Sequence, residues 1–534
     1  MTQKGITLTL LVVFTSLWTM DVRAQPLSPA QQCDQLHQLT DSSNAIEPGV
    51  LIAARGETPA HCRVNGIIDG TIRFRVTMPI QGWTGRFMFL APGALAGVIG
   101  DTTSLLGEGF AMSTTDSGHE GPNDPSFYRD DHAKINFGFR SNHLTTVLSK
   151  RLIAEFYGRE VEHAYLWGCS KGGHGALMEA LRYPDDFDGI IAGAPAVDLV
   201  TGLLVSSVEN MRRQQENPLT PDSVAVLEAN TRRACDMLDG LADGVIGDPR
   251  KCSLEILELE KLECRAGQTA DCLSAGQINT ARGIYSGVTD DSGEVVVPGV
   301  YPGAELGGDF QLWVTGPVDF LEGTANELTS EVVLAILHRQ PGLTLETFNT
   351  VTGITDLAEA AAAVHLPPPD FRRFVDSGGK LIVYNGWNDM PCRARVLEEF
   401  YARAIQLNGA DTVQQFMRVF MVPGMVHCRG GPGAWAADYT EAMVNWVEND
   451  VEPNRIIATY PGKYTFLEAQ VAIGDGGHNW SEAIIEAGRK TGASQFTRPL
   501  CPYPQYARYN GSGDPDDAAN FTCKEADETS SLGQ

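Results

Sequence analysis

The sequence predicts an α/β fold in which a mostly parallel sheet is interrupted by a large inserted domain. In two stretches, residues 142–192 and 380–421, short β-rich runs alternate with amphipathic segments, which is the pattern of βαβ units. Residues 206–375 lack this alternation and contain helical patterns, acidic loops and three consecutive prolines. We therefore expect a core formed by residues 25–205 and 376–534, with residues 206–375 inserted as a lid.

The individual elements follow from hydrophobic periodicity and from Gly and Pro at their ends. Alternating or continuous apolar runs of four to seven residues predict strands, and apolar residues at helical spacing predict helices. In chain order, we expect strands at 72–78, 86–90 and 109–114, a helix at 142–156, a strand at 164–167, a turn at 168–172, a helix to about residue 182, and a strand at 189–192, followed after the insertion by a strand at 380–384, a helix at 396–406 and a strand at 416–421.

The net charge of the chain argues against one class of binding partner, the nucleic acids. The chain has 40 Lys and Arg against 67 Asp and Glu, a formal charge of -27. Such a charge opposes binding to nucleic acids, which depends on neutralising phosphates. We therefore expect no nucleic-acid partner, and the acidic surface favours neutral or cationic ligands.

The amino-terminal segment has the pattern of a secretory signal. Lys4 precedes an apolar stretch at 6–20, and a small residue, Ala24, stands at the expected cleavage position. Cleavage after Ala24 would remove residues 1–24. The alternative is a membrane anchor, although the apolar stretch is short for a membrane span. The segment predicts a secreted or periplasmic protein with no stable membrane anchor after cleavage.

Residues 168–172, Gly-Cys-Ser-Lys-Gly, match the pattern G-x-S-x-G between a predicted strand and a predicted helix. The glycines allow a tight turn that would expose the hydroxyl of Ser170 at the amino end of the helix, where negative charge is stabilised. The backbone N–H of Lys171 would then donate to an oxyanion. The alternative is a glycine-rich turn without catalytic function.

A carboxylate and a histidine follow this serine in the order that an α/β catalytic triad requires. Asp389 comes just after the predicted strand at 380–384, and His427 follows the strand at 416–421. Asp389 would orient the imidazole, and His427 would act as the base. The alternatives are a solvated aspartate in a turn and a buried structural histidine.

The chain has eleven cysteines, which in an exported protein are mostly paired. Three of them, Cys169, Cys392 and Cys428, have no obvious local partner. A bridge between Cys169 and Cys428 would bring Ser170 and His427 close together, because a disulfide holds its Cα atoms about 4.4–6.8 Å apart. Spacing suggests local pairs between Cys33 and Cys62, Cys235 and Cys252, Cys264 and Cys272, and Cys501 and Cys523.

An acidic, glycine-bent loop at residues 235–246 is a candidate calcium site. Oxygen ligands suit calcium, which takes six to eight of them. The loop is not an EF-hand, because it has no bidentate glutamate at the twelfth position. The alternative is an acidic turn without metal. The candidate ligands are the side chains of Asp236, Asp239 and Asp243 and the backbone oxygens of Leu241 and Val245.

These motifs resemble the tannase and feruloyl esterase family of α/β-hydrolases, which includes an esterase of plastic monomers. The resemblance rests on the Cys-Ser pair within G-x-S-x-G, on Trp-x-Asp and on His-Cys. It covers nearly the whole mature chain. Further matching segments are Pro-Ala-His-Cys-Arg at 59–63, Ser-Thr-Thr-Asp-Ser-Gly-His at 113–119, Asp-Phe-Asp-Gly-Ile-Ile-Ala-Gly-Ala-Pro at 186–195 and Cys-Pro-Tyr-Pro-Gln at 501–505.

The resemblance implies an α/β-hydrolase core with a calcium-containing lid and a triad tied by a disulfide. It assigns Ser170 as the nucleophile, Asp389 as the acid and His427 as the base, with Cys169 bonded to Cys428. Relatives use a run of glycines for the second oxyanion donor, whereas this chain has Ala-Pro-Gly-Ala-Leu-Ala-Gly at 91–97. Because proline has no N–H, Gly93 is the candidate.

The lid of such enzymes binds the aromatic acyl part of the substrate. Phe310 and Trp313 are the candidate contacts here, with core packing as the alternative role. The expected function is an exported serine carboxylic-ester hydrolase acting on tannin-, feruloyl- or terephthalate-type esters, with structural Ca²⁺ and no organic cofactor. The other functions considered are a non-catalytic, calcium-stabilised binding protein and an amidase or peptidase on the same scaffold.

Overall fold

The computed structural model describes Met1 and residues 27–316, 324–462, 464, 480–492 and 495–525. The predicted signal segment, residues 1–24, lies outside the described residues apart from Met1. The strands are β1 Asn44–Ile46, β2 Val50–Ile52, β3 His61–Ile68, β4 Ile72–Pro79, β5 Arg86–Ala91, β6 Phe110–Thr115, β7 His163–Cys169, β8 Gly189–Gly193, β9 Gly287–Thr289, β10 Val295–Pro298, β11 Lys380–Gly386, β12 Met417–Val422, β13 Ile456–Tyr460, β14 Phe496–Leu500, β15 Tyr506–Tyr509 and β16 Phe521–Lys524.

Helices cover the faces of the sheet and are the main regular structure of the inserted segment. Several begin at a side-chain cap; α6, for example, begins after Thr220, whose hydroxyl accepts from the N–H of Ser223. The helices are α1 Pro29–Gln35, α2 Asp131–Ile135, α3 Ser141–Tyr157, α4 Lys171–Arg182, α5 Val205–Glu216, α6 Pro221–Cys235, α7 Leu254–Leu257, α8 Ala275–Ser286, α9 Ala325–Ile336, α10 Gly353–Ala360, α11 Arg372–Asp376, α12 Ala394–Asn408, α13 Ala410–Phe416, α14 Tyr439–Asn449 and α15 Trp480–Thr491.

The central sheet has the strand order β1-β3-β4-β6-β5-β7-β8-β11-β12, with β2 paired to β3. From β6 to β12 every neighbouring pair is parallel, which confirms the predicted mostly parallel sheet. The strands before β5 add an antiparallel extension, joined to the parallel part where β4 pairs with β6. Ligands of such sheets collect at the carboxyl ends of the parallel strands.

The parallel strands form because their sequences are apolar on both faces. In β5, the side chains of Phe87, Met88 and Phe89 are fully buried, as expected for a strand covered by helices on both sides. The predicted strand at 164–167 extends to His163–Cys169 and the predicted helix at 142–156 to Ser141–Tyr157. Hydrophobic periodicity therefore located these elements to within a few residues.

The inserted segment leaves the sheet after β8 and returns at β11. These two strands pair directly, with Ile191 opposite Ile382, so residues 194–379 form an insertion between adjacent strands. The insertion has apolar clusters of its own; one contains Leu227, Ile284 and Phe310 and also packs against Met390 of the core. This contact places part of the insertion beside the loop that follows β11.

The described residues contain five disulfides. They join Cys33 to Cys62, Cys169 to Cys428, Cys235 to Cys252, Cys264 to Cys272 and Cys501 to Cys523. Such a number is typical of proteins from oxidising compartments. Cys392 is a buried free thiol. Within the described ranges, no helix combines the length and the apolar character needed to cross a bilayer.

Candidate active site

The turn between β7 and α4 holds Ser170 in a strained conformation at the carboxyl edge of the sheet. Its backbone has φ 63° and ψ -121°, a region that residues with a side chain rarely adopt. The neighbouring glycines are required by close packing: a Cβ atom on Gly168 would lie 2.4 Å from the carbonyl oxygen of Gly172, and one on Gly172 would lie 2.4 Å from that of Ala91. The Gly-x-Ser-x-Gly sequence is therefore a steric requirement of this turn.

Asp389 and His427 form a buried pair at the same edge of the sheet. Oδ2 of Asp389 lies 2.9 Å from Nδ1 of His427, and the two side chains are 0 % and 8 % exposed. Oδ1 of Asp389 accepts from the N–H of Cys392 at 2.7 Å. Burial alone would lower the pKa of His427, but the Asp389 carboxylate raises it well above its ordinary value. The pair therefore stabilises an imidazolium.

The disulfide between Cys169 and Cys428 connects the turn that carries Ser170 to the loop that carries His427. Strands β7 and β12 are three positions apart in the sheet, about 14 Å at the usual strand spacing, so the two loops must reach towards each other. The Cα atoms of Cys169 and Cys428 are 6.1 Å apart. Sγ of Cys428 lies 3.8 Å from Nε2 of His427, so the nitrogen opposite Asp389 faces the bridge that adjoins Ser170.

The two residues predicted to supply oxyanion donors, Lys171 and Gly93, both lie at the turn that carries Ser170. Lys171 is the first residue of α4, and the first N–H groups of a helix have no intrahelical acceptor. Gly93 lies against the turn, since a Cβ atom built on it would be 3.4 Å from the carbonyl oxygen of Cys169. The loop reaches this position with left-handed backbone at Ala94 and Ala96. The backbone of both residues is therefore close to the turn at Ser170, and their role as oxyanion donors stays a prediction.

The side chain of Lys171 points into the core instead of the substrate space. It is 2 % exposed, and Nζ lies 3.4 Å from Oγ of Ser117 and 4.4 Å from the centre of the Phe137 ring. Burial lowers the pKa of Lys171 to about 7. The contribution of Lys171 to the site is thus its backbone N–H.

Two further groups lie at the pair of Asp389 and His427 that sequence reasoning did not assign. The Cys392 sulfur, a carboxylate oxygen of Asp389 and a ring nitrogen of His427 all lie within 4.8 Å of one another, and burial raises the pKa of the Cys392 thiol. The second group is Asp309 of the insertion, whose Oδ2 accepts from the backbone N–H of His427 at 3.0 Å. Only the position of Cys392 three residues after Asp389 could have pointed to either from sequence.

The two aromatic residues proposed for substrate contact have different surroundings. Phe310 is 1 % exposed within the apolar cluster of the insertion, which favours the packing interpretation. Trp313 is half-buried beside the same cluster, and its indole Nε1 has no hydrogen-bond partner among the described residues. Trp313 is therefore the better candidate for a substrate contact.

The predicted calcium loop carries Asp236, Asp239 and Asp243 on one glycine-bent segment, and each of these carboxylates accepts from a backbone N–H group of the loop. Gly240 and Gly244 have left-handed backbone, with φ 98° and 81°. Burial raises the pKa of Asp239 to about 6, and the charges of Asp243 and Asp236 add to the rise. One guanidinium, that of Arg498, contacts Asp243 at 2.7 Å. Mutually repelling, partly buried carboxylates are a donor set that fits a hard cation such as calcium.

Comparison with solved structures defines the class of fold. The chain is similar to an esterase from Aspergillus oryzae, with a TM-score of 0.79 and 24% identity over 93% of this chain and 100% of that one. It is also similar to tannin acyl hydrolase from Aspergillus niger, with a TM-score of 0.71 and 20% identity over 95% and 97% of the two chains. The chain therefore has an α/β-hydrolase type of fold, with a large insertion between two adjacent strands of the sheet.

Sequence comparison then defines the family. The family model described as tannase and feruloyl esterase matches residues 57–524. The chain is 31% identical to a probable feruloyl esterase B-2 of Aspergillus flavus over 74% of this chain and 80% of that one. It is 29% identical to the mono(2-hydroxyethyl) terephthalate hydrolase of Piscinibacter sakaiensis over 88% and 86%. The chain belongs to the tannase and feruloyl esterase family and is an ester hydrolase.

Proposed function

We propose that this chain is an exported serine carboxylesterase that hydrolyses aromatic esters through an acyl-enzyme. The observation that carries the proposal is the buried pair of Asp389 and His427, in which Nε2 of His427 lies beside the disulfide that adjoins Ser170. Export is supported by the five disulfides, which persist in oxidising compartments, together with the signal-like amino terminus.

In the proposed reaction, Oγ of Ser170 attacks the ester carbonyl carbon while Nε2 of His427 accepts the hydroxyl proton. The negative charge on the carbonyl oxygen is stabilised by the backbone N–H groups of Lys171 and Gly93. His427 then gives its proton to the departing alcohol, and a water activated by the same nitrogen hydrolyses the acyl group. Asp389 stabilises the imidazolium in both steps.

An aromatic acyl group is the substrate class that the relatives favour. Two of them are named for ferulate and terephthalate, which are both aromatic carboxylates. The half-buried indole of Trp313, with its unpartnered N–H, is a lid group that can stack on such a ring and donate to a substituent.

A panel of methyl gallate, methyl ferulate and mono(2-hydroxyethyl) terephthalate, each with its matching amide, tests the function. We expect hydrolysis of at least one ester and much slower hydrolysis of the corresponding amide, measured by liquid chromatography of the released acid. Equal rates on ester and amide would indicate an amidase. Turnover of none of the compounds, together with no covalent labelling by a fluorophosphonate, would contradict the proposal and leave a binding protein.

We also propose that the acidic loop binds structural calcium. The side chains of Asp236, Asp239 and Asp243 and the backbone oxygens of Leu241 and Val245 would hold the ion. A bound cation would offset the repulsion that contributes to the raised pKa of Asp239, and it would stiffen a loop already tied by the bond between Cys235 and Cys252.

Removal of the metal is expected to lower the melting temperature. At a calcium concentration 100-fold above Kd, a bound ion contributes about 2.7 kcal/mol, which corresponds to about 3 °C for a chain of this length. Differential scanning fluorimetry at pH 7.5 with excess calcium or excess chelator measures the shift. Asp239→Asn is the control, since it should show little response to chelator. An unchanged melting temperature of the wild type after exhaustive chelation would refute the site.

A further inference from the structure

Asp309 connects the insertion to both loops that carry the Asp389 and His427 side chains. Asp309 is buried, with an exposed fraction of 1 %. One carboxylate oxygen, Oδ2, accepts from the backbone N–H of His427 at 3.0 Å and from the backbone N–H of Met390 at 3.3 Å. Because Met390 directly follows Asp389, a single carboxylate fixes the main chain beside both members of the pair.

The segment that carries Asp309 packs directly on these loops. The carbonyl oxygen of Leu306 accepts from the side-chain amide of Asn388 at 3.0 Å. Gly307 has φ 104°, and a Cβ atom there would lie 2.9 Å from Val426 and 2.9 Å from Pro432. A glycine is therefore needed for the approach. The segment 306–309 is held against the catalytic loops at several points, which limits the freedom of the Asp309 side chain.

The charge of Asp309 also interacts with the pair. The titratable groups that act on it are Asp389 and His427, and the thiol of Cys392 lies close to both of these residues. The pKa of Asp309 is raised to about 7, chiefly by burial and also by the charge of Asp389, while His427 opposes the rise. Ionised Asp309 is thus favoured when His427 carries a proton, which is the state formed during the proposed reaction.

We propose that Asp309 is a positioning residue for ester hydrolysis: it fixes the backbone at Asp389 and His427, and its negative charge supports the imidazolium. This inference rests on the proposed serine mechanism. It makes the insertion part of the catalytic apparatus in addition to its role as a lid over the substrate. A negative charge in that position favours the protonated form of His427. Removing the charge of Asp309 should therefore change the pH dependence of the rate, which a purely structural role of Asp309 would not predict.

The variants Asp309→Asn and Asp309→Ala separate the charge from the hydrogen bonds. Asparagine keeps an oxygen that can accept from both N–H groups and loses the charge, so the pKa of His427 should fall. We expect the acid limb of kcat/KM to move to lower pH by about one unit, with the plateau rate within about tenfold of the wild type. Asp309→Ala also removes the hydrogen bonds to the backbone N–H groups of His427 and Met390. Because a misplaced reacting group costs about 100-fold in rate, we expect kcat of this variant to fall by about that factor, with KM little changed.

Glu305→Gln is the matched control, because Glu305, the residue before this segment, is a fully buried carboxyl that accepts from the N–H of Gly303. Among the described residues, no hydrogen bond joins it to the loops of Asp389 and His427. Its acid limb and kcat should equal those of the wild type. Profiles from pH 5 to 9, melting temperatures and fluorophosphonate labelling are measured for each variant.

An unmoved acid limb in Asp309→Asn would overturn the proposed charge effect, and unchanged kcat in folded Asp309→Ala would overturn the positioning role. If Asp309→Ala does not fold, the acid limb of the kcat/KM profile of Asp309→Asn still tests the proposal. Fluorophosphonate labelling shows whether a failure concerns Asp309 alone or the serine mechanism itself. If Asp309→Asn is still labelled at Ser170, the serine mechanism is intact whatever the outcome for Asp309, whereas activity retained in Ser170→Ala would show that the proposed function itself is wrong.

Discussion

Ser170→Ala is expected to abolish ester hydrolysis, with kcat lower by about 10⁴- to 10⁶-fold. The hydroxyl is the attacking group in the proposed mechanism, and neither neighbouring side chain can replace it, because Cys169 is held in a disulfide and the side chain of Lys171 is buried in the core. Labelling by a fluorophosphonate should be lost in the same variant. Ser292→Ala, at an exposed serine of the insertion, is the control and should keep wild-type activity and labelling.

The strain at Ser170 provides a second readout that is independent of activity. Alanine at φ 63° and ψ -121° keeps the steric cost, whereas glycine removes it. Ser170→Gly should therefore be inactive and yet more stable than Ser170→Ala by about 1–3 kcal/mol, as measured by denaturant unfolding. Equal stability of the two variants would mean that the turn is unstrained in solution. Esterase activity in either variant would refute Ser170 as the nucleophile.

The turn that carries Ser170 could be predicted from sequence, because the residues that determine its conformation are neighbours along the chain. A strand, the single linking residue Ser170 and a helix occupy consecutive positions from His163 to Arg182, and the glycines that the turn needs, Gly168 and Gly172, are part of the motif itself. Asp309 could not be predicted in this way. Its hydrogen bond to His427 spans 118 positions, and Gly-Gly-Asp at 307–309 has the same sequence pattern as any solvent-exposed turn.

The fold shows the same division between local and non-local information. Continuous apolar runs identify the parallel strands, for example β8 and β11, but periodicity does not specify which strands become neighbours. The pairing of β4 with β6 skips β5, and nothing in the alternating pattern of β4 indicates its partner. The antiparallel pair of β13 and β14 was also not predicted. Strand β14 is short and contains Pro499, which argues locally against a strand.

Removal of the disulfide between Cys169 and Cys428 is expected to reduce both stability and activity. The bridge closes a loop of 259 positions, for which the loop-entropy model gives a contribution of up to about 5 kcal/mol, or about 5 °C in melting temperature. Both cysteines must be replaced by alanine, because Cys428 alone could pair with the nearby Cys392. Scanning calorimetry and initial rates on the best ester measure the two effects.

Activity should fall because the bridge constrains two strained residues at once. Ser170 and Cys428 both have positive φ, 63° in each case, and without the sulfur–sulfur bond the loops can relax away from each other. A displacement of about 1 Å between Ser170 and His427 would cost about 100-fold in kcat. The lid disulfide between Cys264 and Cys272, which closes only 8 positions, is the control.

Replacing both cysteines of that control pair by alanine should leave kcat unchanged and lower the melting temperature less. The comparison separates a general loss of stability from a loss of alignment, because only the bridge between Cys169 and Cys428 adjoins catalytic side chains. Full activity of the Cys169→Ala/Cys428→Ala variant below its melting temperature would mean that strand packing and the Asp309 hydrogen bonds suffice to align the triad. A fall in kcat with KM unchanged would instead identify the bridge as the element that keeps nucleophile and base in register.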